Sequence, residues 1–279
     1  MPYAAEISRA NPSCFLFLID QSGSMEDPWA GQPGKKKAEA LADIMNRMLQ
    51  NLTLRCAKSE GVRDYYHVGV IGYGATVGAA LGGSLAGRAI VPISTLADNP
   101  ARLEERVKKE DDGAGGVLER KIKFPVWVDP VARGGTPMCG AFADAVKLLS
   151  AWVAEHPQSF PPIVINITDG ESTDGNPTAQ AEALRAIHTE DGNLLLFNAH
   201  LSASDAATPI LYPDTEENLP DHYARLLFRL CSPMPEYLQS FARQEGFALG
   251  GESRGYVFNA DPVSIIQFLD IGTRPSNLR

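Results

Sequence analysis

Residues 14–24 read CFLFLIDQSGS. Cys14 to Ile19 is a continuous apolar run, which predicts a strand buried on both faces, as in the interior of a parallel sheet. The run stops at Asp20, and two hydroxyls follow at once, Ser22 and Ser24. IVINITD (163–169) repeats the design, closing on Thr168 and Asp169 with Gly170 behind them. HVGVIGYG (67–74), LLLFNAHL (194–201) and GYVFNA (255–260) read as further strands of the same kind. Helical patterns separate them. In the stretch 33–54, Ala38, Leu41, Ala42, Met45, Met48, Leu49 and Leu52 fall mostly three or four apart and form one stripe. Further helices are expected from Met138 to about Glu155 and near 178–189, 221–230, 235–246 and 262–271. Strands alternating with helices predict an α/β, doubly wound (Rossmann-like) fold, with a mostly parallel central sheet flanked by helices on both faces.

The region 75–130 is less regular. It is Gly-rich at first, then gives VPIS (91–94), a charged piece expected to be helical from Asn99 to Glu110, and a turn DDGAGG (111–116). KIKFPVWV (121–128) alternates like an edge strand or hairpin arm. No linker is long enough to divide the chain and no repeat is visible. The expectation is one domain over 1–279: a core of about 12–200, a C-terminal strand and helices at about 234–272, and inserted regions at about 96–125 and 202–233.

Composition excludes several classes of function. The chain has 279 residues, 44% hydrophobic and 21% charged, with 25 Lys+Arg against 34 Asp+Glu and a net charge of −9. An acidic chain without a concentrated basic tract is poorly suited to grip nucleic-acid phosphates. No apolar run approaches the roughly 20 residues that span a bilayer. The N-terminus has no basic, apolar leader, so no secretory signal is expected. Four cysteines lie far apart without a CxxC pair, which argues against a disulfide framework or zinc ribbon. A cytoplasmic, reduced protein follows as the expectation. The acidity is uneven: residues 1–147 hold 18 basic and 17 acidic side chains, residues 148–279 hold 7 and 17. This reads as a solvated surface.

In a doubly wound sheet, ligands bind beyond the carboxyl ends of the strands. Asp20, Ser22 and Ser24 follow the first strand, and Asp169 follows a later one. Gly134-Gly135-Thr136-Pro137 offers a hydroxyl just ahead of a helix. Two aspartates and three hydroxyls make an all-oxygen set, and hard oxygen ligands suit Mg²⁺ or Mn²⁺. D-x-S-x-S after a buried strand, a loop Thr before the middle helix and Asp-Gly after a later strand resemble a von Willebrand factor type A domain with a complete metal-ion-dependent adhesion site. The resemblance is strong over roughly 12–200 and rests on strand–helix order beyond. GGTPMCGAF (134–142) and ITDGESTDG (167–175) look like the bacterial intracellular branch, which includes tellurite-resistance-type proteins.

The resemblance implies that Ser22 and Ser24 coordinate the metal directly, and that Thr136 joins them in the binding-competent state. Asp20 and Asp169 then act mainly through waters. Neutral hydroxyls leave the cation's charge partly uncompensated, which favours a carboxylate from a Glu or Asp of a partner protein. A non-catalytic, Mg²⁺-dependent protein-interaction module is therefore expected. The alternatives are a structural or regulatory subunit whose metal only stabilises the fold, and a metal-dependent phosphohydrolase. The last would want a second Asp two residues after Asp20, where Ser22 stands, and a hydroxyl is a poor proton shuttle at neutral pH.

Other signals read as structural. GYGATVG (72–78) has Val77 where a dinucleotide loop needs glycine, so turn or close backbone packing beside the metal loop is expected. Lys35, Lys36 and Lys37 read as a solvated helix start. His67 and His200 read as core or rim residues, and Cys139 as a small buried one. Glu171 and Asp174 read as solvated loop carboxylates. Trp29 is expected either in the core or as a contact for a partner.

Overall fold

The apolar run that ends at Asp20 forms β1 (Ser13–Asp20), with every residue buried. Residues 2–29, 34–111, 117–201 and 209–274 are described in the computed structural model of the chain. From β1 the chain passes through α1 (Lys37–Cys56) to β2 (Tyr66–Tyr73) and the short β3 (Val77–Ala79). Next come β4 (Val91–Pro92), α2 (Ile93–Asp98), the long pair β5 (Arg102–Asp111) and β6 (Val117–Val126), and α3 (Met138–Glu155). The second half holds β7 (Ile163–Thr168), α4 (Thr178–Ala186), β8 (Leu195–His200), β9 (Ile210–Leu211), α5 (His222–Leu230), α6 (Glu236–Gln244), β10 (Tyr256–Phe258) and α7 (Pro262–Gly272).

The central sheet has the order β9-β10-β8-β7-β1-β2-β3, with β4 also paired to β2. The four pairings through its middle are as a parallel sheet requires: β1 runs parallel to β2 and β7, and β8 parallel to β7 and β10. Only the marginal strands β3, β4 and β9 are antiparallel. The expected doubly wound architecture is therefore present. Alternate residues of β1 serve opposite faces. Phe15, Phe17 and Ile19 join a core with Leu41, Met45 and Leu49 of α1 and Phe268 of α7. Cys14, Leu16 and Leu18 join a second core with Phe142 of α3, Leu184 of α4 and Leu227 of α5.

This winding fixes where a ligand can sit. The chain leaves β1 toward β2 on one side and returns on its other side at β7. The order therefore reverses between β1 and β7, and a crevice opens at their carboxyl ends. Asp20 is the last residue of β1, and Asp169 is the first after β7.

One expected element is different. The charged piece Asn99–Glu110 is not a helix. From Arg102 it is β5, paired antiparallel with β6 from Arg102↔Val126 to Asp111↔Val117. Leu103 and Val107 are four apart, which suits one face of a helix and equally one face of a strand. Cross-strand partners decide the matter. Glu105 pairs with Lys121 at 2.6 Å, and the Arg106 guanidinium lies 3.8 Å over the Phe124 ring. Arg106 also reaches Asp43 of α1 at 2.9 Å. KIKFPV is one arm of this hairpin, as the alternation predicts. The DDGAGG turn beyond Asp111, the start of the first expected helix at Pro33, and residues 202–208 of the second inserted region lie outside the described residues.

Candidate metal centre

The candidate site is built from loops that backbone contacts lock together. Gly74 follows β2 and packs against the loop after β1: a Cβ there would lie 2.5 Å from the Gln21 carbonyl oxygen and 2.7 Å from that of Arg133. Gly134 has φ +82°, and a Cβ would meet Ala75 at 2.5 Å, so no side chain fits. Its carbonyl accepts from the Gly23 N–H at 2.9 Å. Two glycines of GYGATVG thus provide the expected close packing behind the D-x-S-x-S loop, Gly74 against the Gln21 backbone and Gly72 against the Gln21 side chain, whereas Gly78 faces open space.

Four of the five expected oxygen residues form one hydrogen-bonded group. Asp20 is 1% exposed. Its Oδ1 accepts from the Ser22 N–H at 2.8 Å and its Oδ2 from the Thr168 hydroxyl at 2.6 Å. Burial raises its pKa against those hydrogen bonds, which stabilise the carboxylate. Ser22 Oγ and Ser24 Oγ are 3.0 Å apart, and Ser24 Oγ donates to Asp169 Oδ1 at 2.8 Å. Thr136 joins through its backbone. Its N–H donates to Thr173 Oγ1 at 2.9 Å and its carbonyl accepts from the Thr173 N–H at 2.9 Å. Thr136 is therefore tied to the loop that carries Asp169, and is not hydrogen-bonded to the other four residues.

The separation of the two serine hydroxyls, a hydrogen-bond length, is also one that a small hard cation can bridge. Octahedral Mg²⁺ with ligands at about 2.0–2.1 Å sets neighbouring ligand atoms roughly 2.9–3.0 Å apart. The two serine hydroxyls already stand at 3.0 Å. No group of three or more His, Cys, Asp or Glu side chains is placed to hold a metal among the described residues. A Mg²⁺ site here would use two carboxylates and hydroxyls, which is a different donor set.

Three residues near the site depart from expectation. Lys37 does not share the solvent of its neighbours in the lysine run. Its side chain is 3% exposed, and Nζ donates to Asp169 Oδ2 at 2.6 Å and to the Ser24 carbonyl at 3.3 Å. The reason is its position as the first residue of α1, where the helix begins directly under the Asp169 loop. Asp174 is exposed but is more than a loop charge. Its carboxylate accepts from the Cys139 and Gly140 N–H groups at 3.0 and 2.9 Å, and so caps α3. Burial works against that carboxylate, yet these N–H bonds outweigh it and lower its pKa. Thr168, the hydroxyl that holds Asp20, was not singled out by sequence; its adjacency to Asp169 at a strand end was the available signal.

For Trp29, Cys139, His67 and His200 the structural readings hold. Trp29 is 2% exposed and lies in the core, which removes it as a partner contact. All four cysteines are free and buried, Cys139 among them. His67 is half-buried and accepts from Trp152 Nε1 at 2.9 Å, and His200 is buried at the end of β8. His200 also lines a hollow of about 340 Å³ beside the site, with Ser24, Asp27, Lys37, Asp169 and Tyr223 among its walls.

No protein-family model matches the sequence, and no curated protein is significantly similar to it. The solved structures to which the chain is similar include the following three. The ArnB paralog VWA2 from Sulfolobus acidocaldarius aligns over 68% of this chain at 12% identity, with a TM-score of 0.35. The three N-terminal domains of the type V pili tip protein Mfa5 from Porphyromonas gingivalis align over 58% at 13% identity, with a TM-score of 0.33. The vWF domain of that protein aligns over 58% at 14% identity, with a TM-score of 0.31. The alignments span 35%, 20% and 39% of those chains respectively.

Proposed function

We propose that the chain is a von Willebrand A-type module that binds a partner protein through Mg²⁺, or Mn²⁺, held by Asp20, Ser22, Ser24, Thr136 and Asp169. The supporting observation is the convergence of Ser22, Ser24, Asp20 and Asp169 at the reversal point of the sheet, with the two hydroxyls at the spacing of adjacent octahedral ligands. Ser22 and Ser24 act as direct ligands, with Asp20 and Asp169 behind bound waters. Thr136 joins when its loop moves, and α3 follows directly from that loop. A cation ligated largely by neutral oxygens keeps net positive charge and takes an Asp or Glu carboxylate from the partner. On this reading the chain is not itself an enzyme, acts in the cytoplasm, and belongs to a bacterial stress-response or regulatory complex like those of tellurite-resistance-type proteins. Neither nucleic acid nor a membrane is its partner.

The test is capture of the native partner by tagged full chain in Mg²⁺ and in EDTA, with Asp20→Ala and Thr136→Ala alongside. Capture in Mg²⁺ by the wild type alone is expected. Equal capture of the same protein by the variants, or in EDTA, would contradict metal-dependent binding. A melting temperature that falls in EDTA while capture is unchanged would assign the metal a purely structural role.

A further inference from the structure

The buried lysine takes no part in the reading above, and its position is unfavourable on its own terms. Lys37 opens α1, where the helix dipole repels a cation. Its side chain is almost fully withdrawn from water, which is costly for an ammonium unless it is paired. It is paired with Asp169 at 2.6 Å, and the Asp27 carboxylate is at 3.9 Å. Asp169 therefore has both oxygens engaged, one by the Ser24 hydroxyl and one by this ammonium.

We propose that Lys37 is a specificity-determining charge at the metal site, one that weakens Mg²⁺ binding and strengthens binding of a carboxylate to the loaded site. This rests on the assignment of Mg²⁺ to Asp20, Ser22, Ser24 and Asp169. Among the buried groups, Asp20 and Asp169 carry −2 when both are ionised, and Lys37 reduces this to −1 before any cation arrives; Asp27, 3.9 Å from Lys37, is exposed and screened by solvent. With a divalent cation the group reaches +1, where the same site without Lys37 would be neutral. A buried charge is screened far less than a surface one, so the difference acts on both ligands. The hollow beside Lys37 and Asp169 is open enough for a side chain to enter that field. The result is a site that holds its cation loosely and prefers acidic partners over neutral ones.

The test measures the two affinities separately on the full chain. Mg²⁺ alone is titrated calorimetrically into wild type, Lys37→Gln, Lys37→Met and Lys37→Arg. Acetate is then titrated into the Mn²⁺-loaded proteins, with water-proton relaxation reporting displacement of metal-bound water. For Lys37→Gln and Lys37→Met we expect about tenfold tighter Mg²⁺ and about tenfold weaker acetate, a change of about 1.4 kcal/mol in each direction. Lys37→Arg keeps the charge in a larger, planar head, so any change it brings should move both affinities the same way and not in opposite directions. In the neutral variants, a merely structural lysine would shift both affinities the same way, or neither, and either result overturns the proposal. Should the neutral variants not fold, a Lys37→Arg protein that binds Mg²⁺ tenfold tighter and acetate tenfold more weakly would overturn it, because the opposed shift would then occur with the charge retained. Absence of Mg²⁺ binding in every protein, wild type included, removes the metal assignment itself and this proposal with it.

Discussion

At Asp169, Asp174 and His200, side chains beside the crevice do work that their types alone would not disclose. Asp174 sits in a polar loop that reads as solvated, yet it satisfies two of the N–H groups that the start of α3 leaves without intrahelical partners. Asp174→Ala should lower stability by about 1 kcal/mol, read by urea denaturation; an unchanged midpoint would deny the cap. Burial pushes the His200 pKa down from 6.5 to about 4. The unfolded chain therefore takes up this proton at higher pH than the folded chain. Between those values the unfolded state binds more protons, and stability falls as pH falls, by up to about 1.4 kcal/mol per unit. His200→Gln should flatten this part of the profile between about pH 6.5 and pH 4, and an identical slope in the variant would contradict it. The place of His200 in a strand pattern was visible beforehand, but the cap made by Asp174 was not, because it depends on an element remote in sequence.

Among the elements, the buried strands and the helices of the two layers were legible, since continuous apolar runs and three-to-four spacing report their surroundings directly. Met138–Glu155 coincides with its expected bounds for that reason. The β5–β6 hairpin was not legible at its first arm, because a strand rich in charges is decided by its cross-strand partner and not by its own composition. A second hidden feature crosses the sheet under the site. The Tyr73 hydroxyl of β2 donates to Asn166 Oδ1 of β7 at 2.7 Å, and Asn166 Nδ2 donates to Asn198 Oδ1 of β8 at 2.9 Å. Asn198 Nδ2 continues to the Leu227 carbonyl of α5 at 3.0 Å. Every member is buried, so breaking the chain leaves polar atoms unsatisfied. Asn166→Ala should cost about 2–4 kcal/mol in equilibrium denaturation, combining those orphaned groups with a small cavity; a loss under about 0.5 kcal/mol would show that the network is dispensable. Gly74→Ala should likewise destabilise, by about 1–3 kcal/mol, because the Gln21 and Arg133 carbonyls leave no room for a methyl.

For the whole molecule, the doubly wound order brings two strand ends 149 positions apart in sequence to one crevice, and Asp20 and Asp169 arrive there as the alternation of strands and helices predicts. The positions of Asp20, Ser22, Ser24 and Asp169 at strand ends were legible because they follow apolar runs. Their charge balance was not, because Lys37 reads like the solvated lysines beside it. The net charge of −9 therefore describes the surface and says little about the site, where one buried cation changes the local sum. Among the described residues no helix is long and apolar enough to cross a membrane. We propose that this crevice holds a divalent cation through its hydroxyls and carboxylates. Calorimetric titration of Mg²⁺ into the chelator-treated full chain, beside Asp20→Ala and Ser22→Ala, tests it most directly. Saturable binding at one site per chain is expected in the wild type, with at least about tenfold weaker binding in each variant. Wild-type binding that is absent, or unchanged by both substitutions, would contradict it.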